Sequence, residues 1–211
     1  GEWWVMSTDT PNLGRSADSS LGPRGITGAA NNDGINNVIN YVTISSTGDA
    51  VDFGDTTFTA TERREGCASS TRGLFCGGFR NPAPQTAYNN IEFITIASTG
   101  NAQDFGDLTN NSKAGATLSN STRGVHFIGE TFPAKVNTIN YVTIASTGNA
   151  NDFGDASQNF FESTATANIT RGLFFGGYAP SPVGAVNTIE FITISTLGNT
   201  QDFGDGGVNL N

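Results

Sequence analysis

Histidine is nearly absent from this chain: His126 is the only one, and Cys67 and Cys76 are the only cysteines in 211 residues. That scarcity removes the usual zinc and copper ligand sets and most nucleophile–base pairs, because each needs clustered imidazole, thiolate or carboxylate groups. Charge is scarce too, at 14% of residues, and it is lopsided, with 10 Lys+Arg against 19 Asp+Glu and a formal net charge of −9. A nucleic-acid-binding surface needs the opposite balance. No run of about 18 apolar residues is present, so no helical membrane span is expected. The start Gly1-Glu2-Trp3-Trp4 carries neither a basic leader region nor an initiator Met, and reads as a processed or excerpted chain.

What the chain has instead is internal repetition. Asn-Asn-Val-Ile-Asn-Tyr-Val-Thr-Ile from Asn36 returns as Asn-Asn-Ile-Glu-Phe-Ile-Thr-Ile from Asn89, as Asn-Thr-Ile-Asn-Tyr-Val-Thr-Ile from Asn137 and as Asn-Thr-Ile-Glu-Phe-Ile-Thr-Ile from Asn187. Each copy runs through a Gly-Asn or Gly-Asp turn into Asp-Phe-Gly-Asp. These blocks begin at Asp52, Asp104, Asp152 and Asp202, with spacings of 52, 48 and 50 residues. A second shared element, Arg-Gly followed by an apolar residue, precedes each copy at Arg24, Arg72, Arg123 and Arg171.

Each period therefore predicts four short strands, A to D, falling near 65–70, 72–78, 89–97 and 101–107 in the second copy. In strand C of the third copy, Ile139 and Tyr141 point to one face while Val142 and Ile144 point to the other. A strand apolar on both faces needs a sheet on either side of it. Small sheets packed face to face around an axis supply that environment without leaving long edges. The expected fold is all-β, a propeller of about four blades of four antiparallel strands. One domain over 1–211 is expected, with repeats near 15–55, 65–107, 114–155 and 163–205. Residues 1–14, with Trp3 and Trp4, read as a strand that closes the last blade or is exchanged with another chain.

The Gly-Gly-terminated strand, the Asn-x-Ile-Glu-Phe strand and the period near 50 resemble kelch repeats over almost the whole chain. One departure is that Phe53, Phe105, Phe153 and Phe203 stand where a kelch strand D usually places Trp. The string Asn-Thr-Ile-x-Tyr-Val-Thr-Ile-Ala-Ser-Thr-Gly-Asn-Ala-x-Asp-Phe-Gly-Asp is also similar to repeats of virion structural proteins, notably of tailed phages of marine cyanobacteria. The resemblance implies a non-enzymatic component of a virion surface, in capsid decoration or tail fibres, meeting other virion proteins or a host-surface glycan. The alternative is a lectin-like propeller, secreted or on a cell surface.

Asp-Phe-Gly in a kinase would bind magnesium, but no glycine-rich phosphate loop or strand lysine accompanies it here. Four copies at one place in the repeat read as structure. Phe53, Phe105, Phe153 and Phe203 fill the gap between blades, while Asp52, Asp55, Asp104, Asp107, Asp152, Asp155, Asp202 and Asp205 take backbone or arginine hydrogen bonds. The alternative reading is calcium held by Asp52 and Asp55 and their counterparts; no other cofactor is implied. Arg24, Arg72, Arg123 and Arg171 read as a ring at the A–B turns, each paired with an aspartate, or else as a site for an anion. If Thr71-Arg72 is a two-residue turn, Cys67 faces Cys76. The expectation is then either a cross-strand disulfide or two buried free thiols. His126 stands where the other copies have Phe75 or Phe174 and reads as an inward position.

The copies differ most in the B–C and D–A connections, which emerge on one rim of an up-and-down blade. Arg80, Tyr88, Phe132, Lys135 and Tyr178 on that rim are the candidate binding residues, because unshared positions are free to recognise a partner.

Overall fold

The computed structural model describes residues 24–28, 37–58, 63–80, 84–180, 182 and 184–207. These form sixteen β-strands in four antiparallel sheets and no helix, so among them no helix is long and apolar enough to cross a membrane. The expected strand at 1–14 and the first strand A near 15–20 lie outside the described residues.

Each sheet is one period of the sequence. The first repeat contributes β1 (Arg24–Gly28), β2 (Val38–Thr43) and β3 (Val51–Asp55). The second contributes β4 (Glu65–Ala68), β5 (Arg72–Cys76), the short β6 (Phe79–Arg80), β7 (Thr86–Thr95) and β8 (Gln103–Ser112). In the third they are β9 (Ala116–Ser119), β10 (Arg123–Phe127), β11 (Thr138–Thr143) and β12 (Asn151–Asp155). The fourth has β13 (Thr164–Ala167), β14 (Arg171–Ala179), β15 (Gly184–Thr193) and β16 (Gln201–Asp205). Within each repeat the strands pair in chain order as an antiparallel meander, with β6 as an extra short strand on β7.

The A–B turn is built by one side chain. Asn120 Oδ1 accepts from the backbone N–H of Thr122 (3.0 Å) and Arg123 (2.8 Å), and Asn168 Oδ1 does the same for Thr170 (2.8 Å) and Arg171 (2.7 Å). Ser69 Oγ takes this part in the second repeat, at 3.3 and 3.2 Å. Short polar side chains that bond their own backbone two or three residues on are a standard turn device. The turn therefore starts at Ser69, not Ser70, with Ser69 N–H donating to Arg72 O at 2.9 Å. The register moves by two residues: Cys67 pairs with Leu74 and Cys76 with Glu65. This corrects the expected Cys67–Cys76 facing pair, and both cysteines are free. Burial pushes the Cys76 thiol up to about 12 and raises that of Cys67 as well.

Asp-Phe-Gly-Asp is a β-bulge. In all four repeats the ladder between strands C and D skips the phenylalanine: Ile39 pairs with Gly54 and Asn40 with Asp52, and the same step recurs at Phe105, Phe153 and Phe203. The extra residue bends the strand and turns its side chain out of the sheet. Phe53, Phe105 and Phe153 are thereby driven into the following repeat and are fully buried. Glycine follows each because φ near +145° is a conformation other residues rarely adopt.

The core lies between repeats. Ile39 and Phe53 pack with Ile94 and Ala102 of the second repeat. Leu74, Ile91 and Phe105 meet Val142 and Ile144 of the third, and Phe127, Ile139 and Phe153 meet Phe174, Ile192 and Ile194 of the fourth. In the second and third repeats both faces of strand C are covered because a neighbour sits on each side.

Backbone bonds seal these joints. Phe53 O, Phe105 O and Phe153 O accept from Gly100 N, Gly148 N and Gly198 N at 2.7, 2.7 and 2.8 Å, and each following Asp O accepts from the residue two further on in the turn. Asp55, Asp107 and Asp155 donate their N–H to Asn101, Asn149 and Asn199 Oδ1 at 3.1 Å or less.

Candidate functional site

Three of the four repeated arginines belong to the joints. Arg24, Arg72 and Arg123 each donate from Nη1 to the carbonyl of Ile96, Ile144 and Ile194 in the next repeat, at 2.7, 3.0 and 2.6 Å. Each guanidinium also stacks on a ring of its own strand C, Tyr41, Phe93 or Tyr141, and Arg171 stacks on Phe191 at 4.7 Å. Among the described residues the place expected of an aspartate is taken by a main-chain carbonyl and an aromatic face, both of which suit a planar cation. Asp52 Oδ1 instead accepts from Gly54 N at 3.1 Å, holding the bulge. Among the described residues no group of three or more His, Cys, Asp or Glu side chains comes together to hold a metal ion.

Strand C hides a polar position that the repeat comparison alone did not single out. Glu92, Asn140 and Glu190 are buried at the centre of their sheets. Each accepts from the residue two beyond the preceding Asp-Phe-Gly-Asp block: Thr57 N to Glu92 (2.6 Å), Thr109 N and Oγ1 to Asn140 (2.8 and 3.0 Å), and Ser157 N to Glu190 (3.3 Å). The two glutamates need more, since a buried charge must be met by donors. Glu92 has Arg64 Nη2 at 2.6 Å, and Glu190 has Thr200 Oγ1 at 2.6 Å, where the other copies carry alanine. The signal was the polar residue locked between two large apolar ones in Ile-Asn-Tyr and Ile-Glu-Phe.

His126 is sealed in the third repeat. Ser112 Oγ donates its proton to Ile128 O at 2.8 Å, so His126 Nε2–H donates to Ser112 Oγ at 2.6 Å and Nδ1 accepts from Thr117 Oγ1 at 2.7 Å. Burial lowers its pKa to about 3 from 6.5, which keeps the ring neutral. Between these values the unfolded chain binds the extra proton, so stability rises with pH from about 3 to 6.5 and is lost on acidification. Glu65, pushed up to about 7 by burial, acts in the opposite direction above pH 4.5. The clean readout is therefore a comparison. From pH 7 to 4.5 the urea midpoint of wild type should drop relative to that of His126→Phe, and an unchanged difference between the two would refute the assignment.

The variable connections meet on one rim. Phe79, beside Arg80 in β6, packs on Phe132 of the third repeat at 5.0 Å between ring centres. Lys113 Nζ lies over both rings, at 4.1 and 4.8 Å. Glu130 joins the two lysines, with Lys113 Nζ at 3.6 Å and Lys135 Nζ at 3.1 Å. Lys135 then covers Phe161 at 4.9 Å, and Phe161 pairs with Tyr178 at 5.7 Å and exchanges two backbone hydrogen bonds with it. Three repeats thus contribute to one continuous strip of rings and cations.

The structure brings Phe132, Lys135 and Tyr178 together and sets Arg80 next to them through Phe79. Tyr88 stands in a separate pair with Phe58, at 5.8 Å. Lys113 and Glu130 were missed by the repeat comparison, yet Lys113 and Lys135 are the only lysines in the sequence, and both fall here. With Glu130 buried between them, the strip carries one net positive charge on a chain of net charge −9. Its most open ring is Phe132, 39% exposed.

No protein-family model matches the chain, and no curated protein matches it.

Proposed function

We propose that this chain is a non-enzymatic display scaffold: an open array of four kelch-like propeller blades on a virion surface, whose variable rim contacts other virion proteins or a host-surface glycan. The observation that carries the binding role is the rim strip Phe79–Phe132–Lys113–Glu130–Lys135–Phe161–Tyr178. Lys113, Glu130, Phe132 and Lys135 stand at positions the repeats do not share, so the blades do not need them for their common architecture. The exposed Phe132 ring beside fixed cations suits partners that combine a stacking face with polar or anionic groups, as acidic sugars do. The virion setting rests on the sequence resemblance described above.

Support for a propeller arrangement comes from the strand A ends. Arg63 and Glu65 of the second repeat, Ala114 and Gly115 of the third, and Glu162 and Ser163 of the fourth share one cleft of about 210 Å³. Arg63 forms an ion pair with Glu162, reaching past the third repeat. Sheets arrayed about an axis bring such ends together; a straight stack keeps alternate repeats apart.

Two measurements test this reading. Antibody raised against the chain should label intact particles, and purified chain should bind host cells or their surface polysaccharide. Phe132→Ala and Lys135→Ala should each weaken that binding by about tenfold or more, the loss expected of a contact worth about 1.4 kcal/mol or more. Melting should change little for the half-open Phe132. Unlabelled particles, or binding indifferent to both substitutions, would overturn the proposal.

A further inference from the structure

The three internal joints share one plan, and among the described residues the first and fourth repeats each present an unmated half of it. The forward half of a joint is the bulge with its buried phenylalanine, the strand D carbonyls and the strand B arginine. The receiving half is the C–D turn with its amides and the two apolar residues just before it. In the second, third and fourth repeats the receiving isoleucine is covered, with Ile96, Ile144 and Ile194 exposed to 7, 1 and 0%. Its counterpart in the first repeat, Ile44, is 69% exposed, and Val42 beside it is open as well. At the other end Phe203 is 51% exposed, whereas Phe53, Phe105 and Phe153 are each at 2%.

The main chain repeats the pattern. A Cβ on Gly54, Gly106 or Gly154 would lie 2.4–2.5 Å from the carbonyl of the docked turn, yet one on Gly204 meets nothing within 4 Å. Gly204 has the same backbone conformation, φ +141°, with no described turn seated on it. Arg171 has its ring stack on Phe191 but, among the described residues, no following carbonyl.

We propose that the fourth repeat of one copy docks head-to-tail on the first repeat of a second copy, remaking between chains the joint that links repeats within one. Phe203 O and Asp205 O then accept from Gly48 N and Ala50 N, Arg171 donates to Ile44 O, and Phe203 buries against Val42 and Ile44. Gly207 N–H meets Asn40, as Thr109 N–H meets Asn140. Such an interface is heterologous, so each copy keeps one free end unless the assembly closes into a ring.

One residue of the receiving half is mismatched, and it supplies a test. Asn101, Asn149 and Asn199 accept the aspartate N–H in the internal joints, but the first repeat carries Asp49 there. A carboxylate accepts that bond while facing Asp202 and Asp205, a like-charge arrangement that weakens the contact.

Sedimentation velocity over a dilution series is the experiment. Wild type should show a monomer in exchange with larger species, and Asp49→Asn should shift the exchange to lower concentration. Ile44→Asp and Phe203→Asp should each lose the larger species. An equimolar mixture of these two variants should regain a species of twice the monomer mass, because one intact half remains on each. That recovery also shows that both variants are folded. A wild type that is monomeric throughout together with an unchanged Asp49→Asn, association that survives both aspartates, or a mixture that stays monomeric would each overturn the proposal.

Discussion

Gly106→Ala is expected to destabilise the chain by roughly 3–5 kcal/mol, the sum of a backbone held where alanine is strained and a clash the joint cannot relieve. The new Cβ would lie 2.5 Å from both the carbonyl carbon and the oxygen of Gly148, which is docked there by its N–H bond to Phe105 O. For a chain of this length that is a fall of about 10 °C in melting temperature. Gly204→Ala is the control, since φ there is +141° but no atom stands within 4 Å. Measured on the dissociated chain, it should cost only the strain, about 1–3 kcal/mol. Thermal melts of the two variants separate the contributions, and equal losses would mean that the turn does not sit where the internal joints place it.

The second large effect is expected at Glu92. Arg64→Ala removes the cation from a carboxylate with no exposed surface, leaving Thr57 as its remaining described donor. Breaking one side of a buried ion pair costs about 3–5 kcal/mol. Changing the acid as well should return most of that loss. Arg64→Ala combined with Glu92→Asn recreates the third repeat, where Asn140 is served by Thr109 alone. Urea unfolding of the single and double variants measures the coupling, and additive losses would contradict it.

Much of the architecture was legible because the repeat exposes it four times over. The period, the strand order and the two-faced strand C all follow from comparing copies with one another, as does the placing of Phe53, Phe105 and Phe153 between sheets. The register of the A–B turn was not legible. A two-residue loop at 70–71 and one at 71–72 fit the same alternation, and the choice lies in the Ser69, Asn120 and Asn168 side chains that cap the turn. Asn120-Ser121-Thr122 and Asn168-Ile169-Thr170 are that device. The arginine partners were misassigned for a related reason, since a carbonyl acceptor leaves no mark in the sequence.

Of the rim, the sequence pointed to Phe132, Lys135 and Tyr178 as residues outside the shared pattern. It did not reveal Lys113 and Glu130 as the link between them, because those residues flank the β9–β10 hairpin and meet, through two backbone hydrogen bonds, only once that hairpin has formed. Glu130 shows why: its two lysines come from positions 113 and 135, on either side of a whole strand pair.

The linkage of strand D to the following turn underlies the fold, the rim and the head-to-tail contact alike, and amide hydrogen exchange measures it directly. In the dissociated chain the N–H groups of Gly100, Gly148 and Gly198 should exchange slowly, as donors to Phe53, Phe105 and Phe153 carbonyls, while that of Gly48 exchanges fast. Gly48 should become protected as the concentration is raised. Fast exchange at all four glycines would contradict the repeat joint itself, and protection of the first three with Gly48 fast at every concentration would leave the fold standing without the contact between copies.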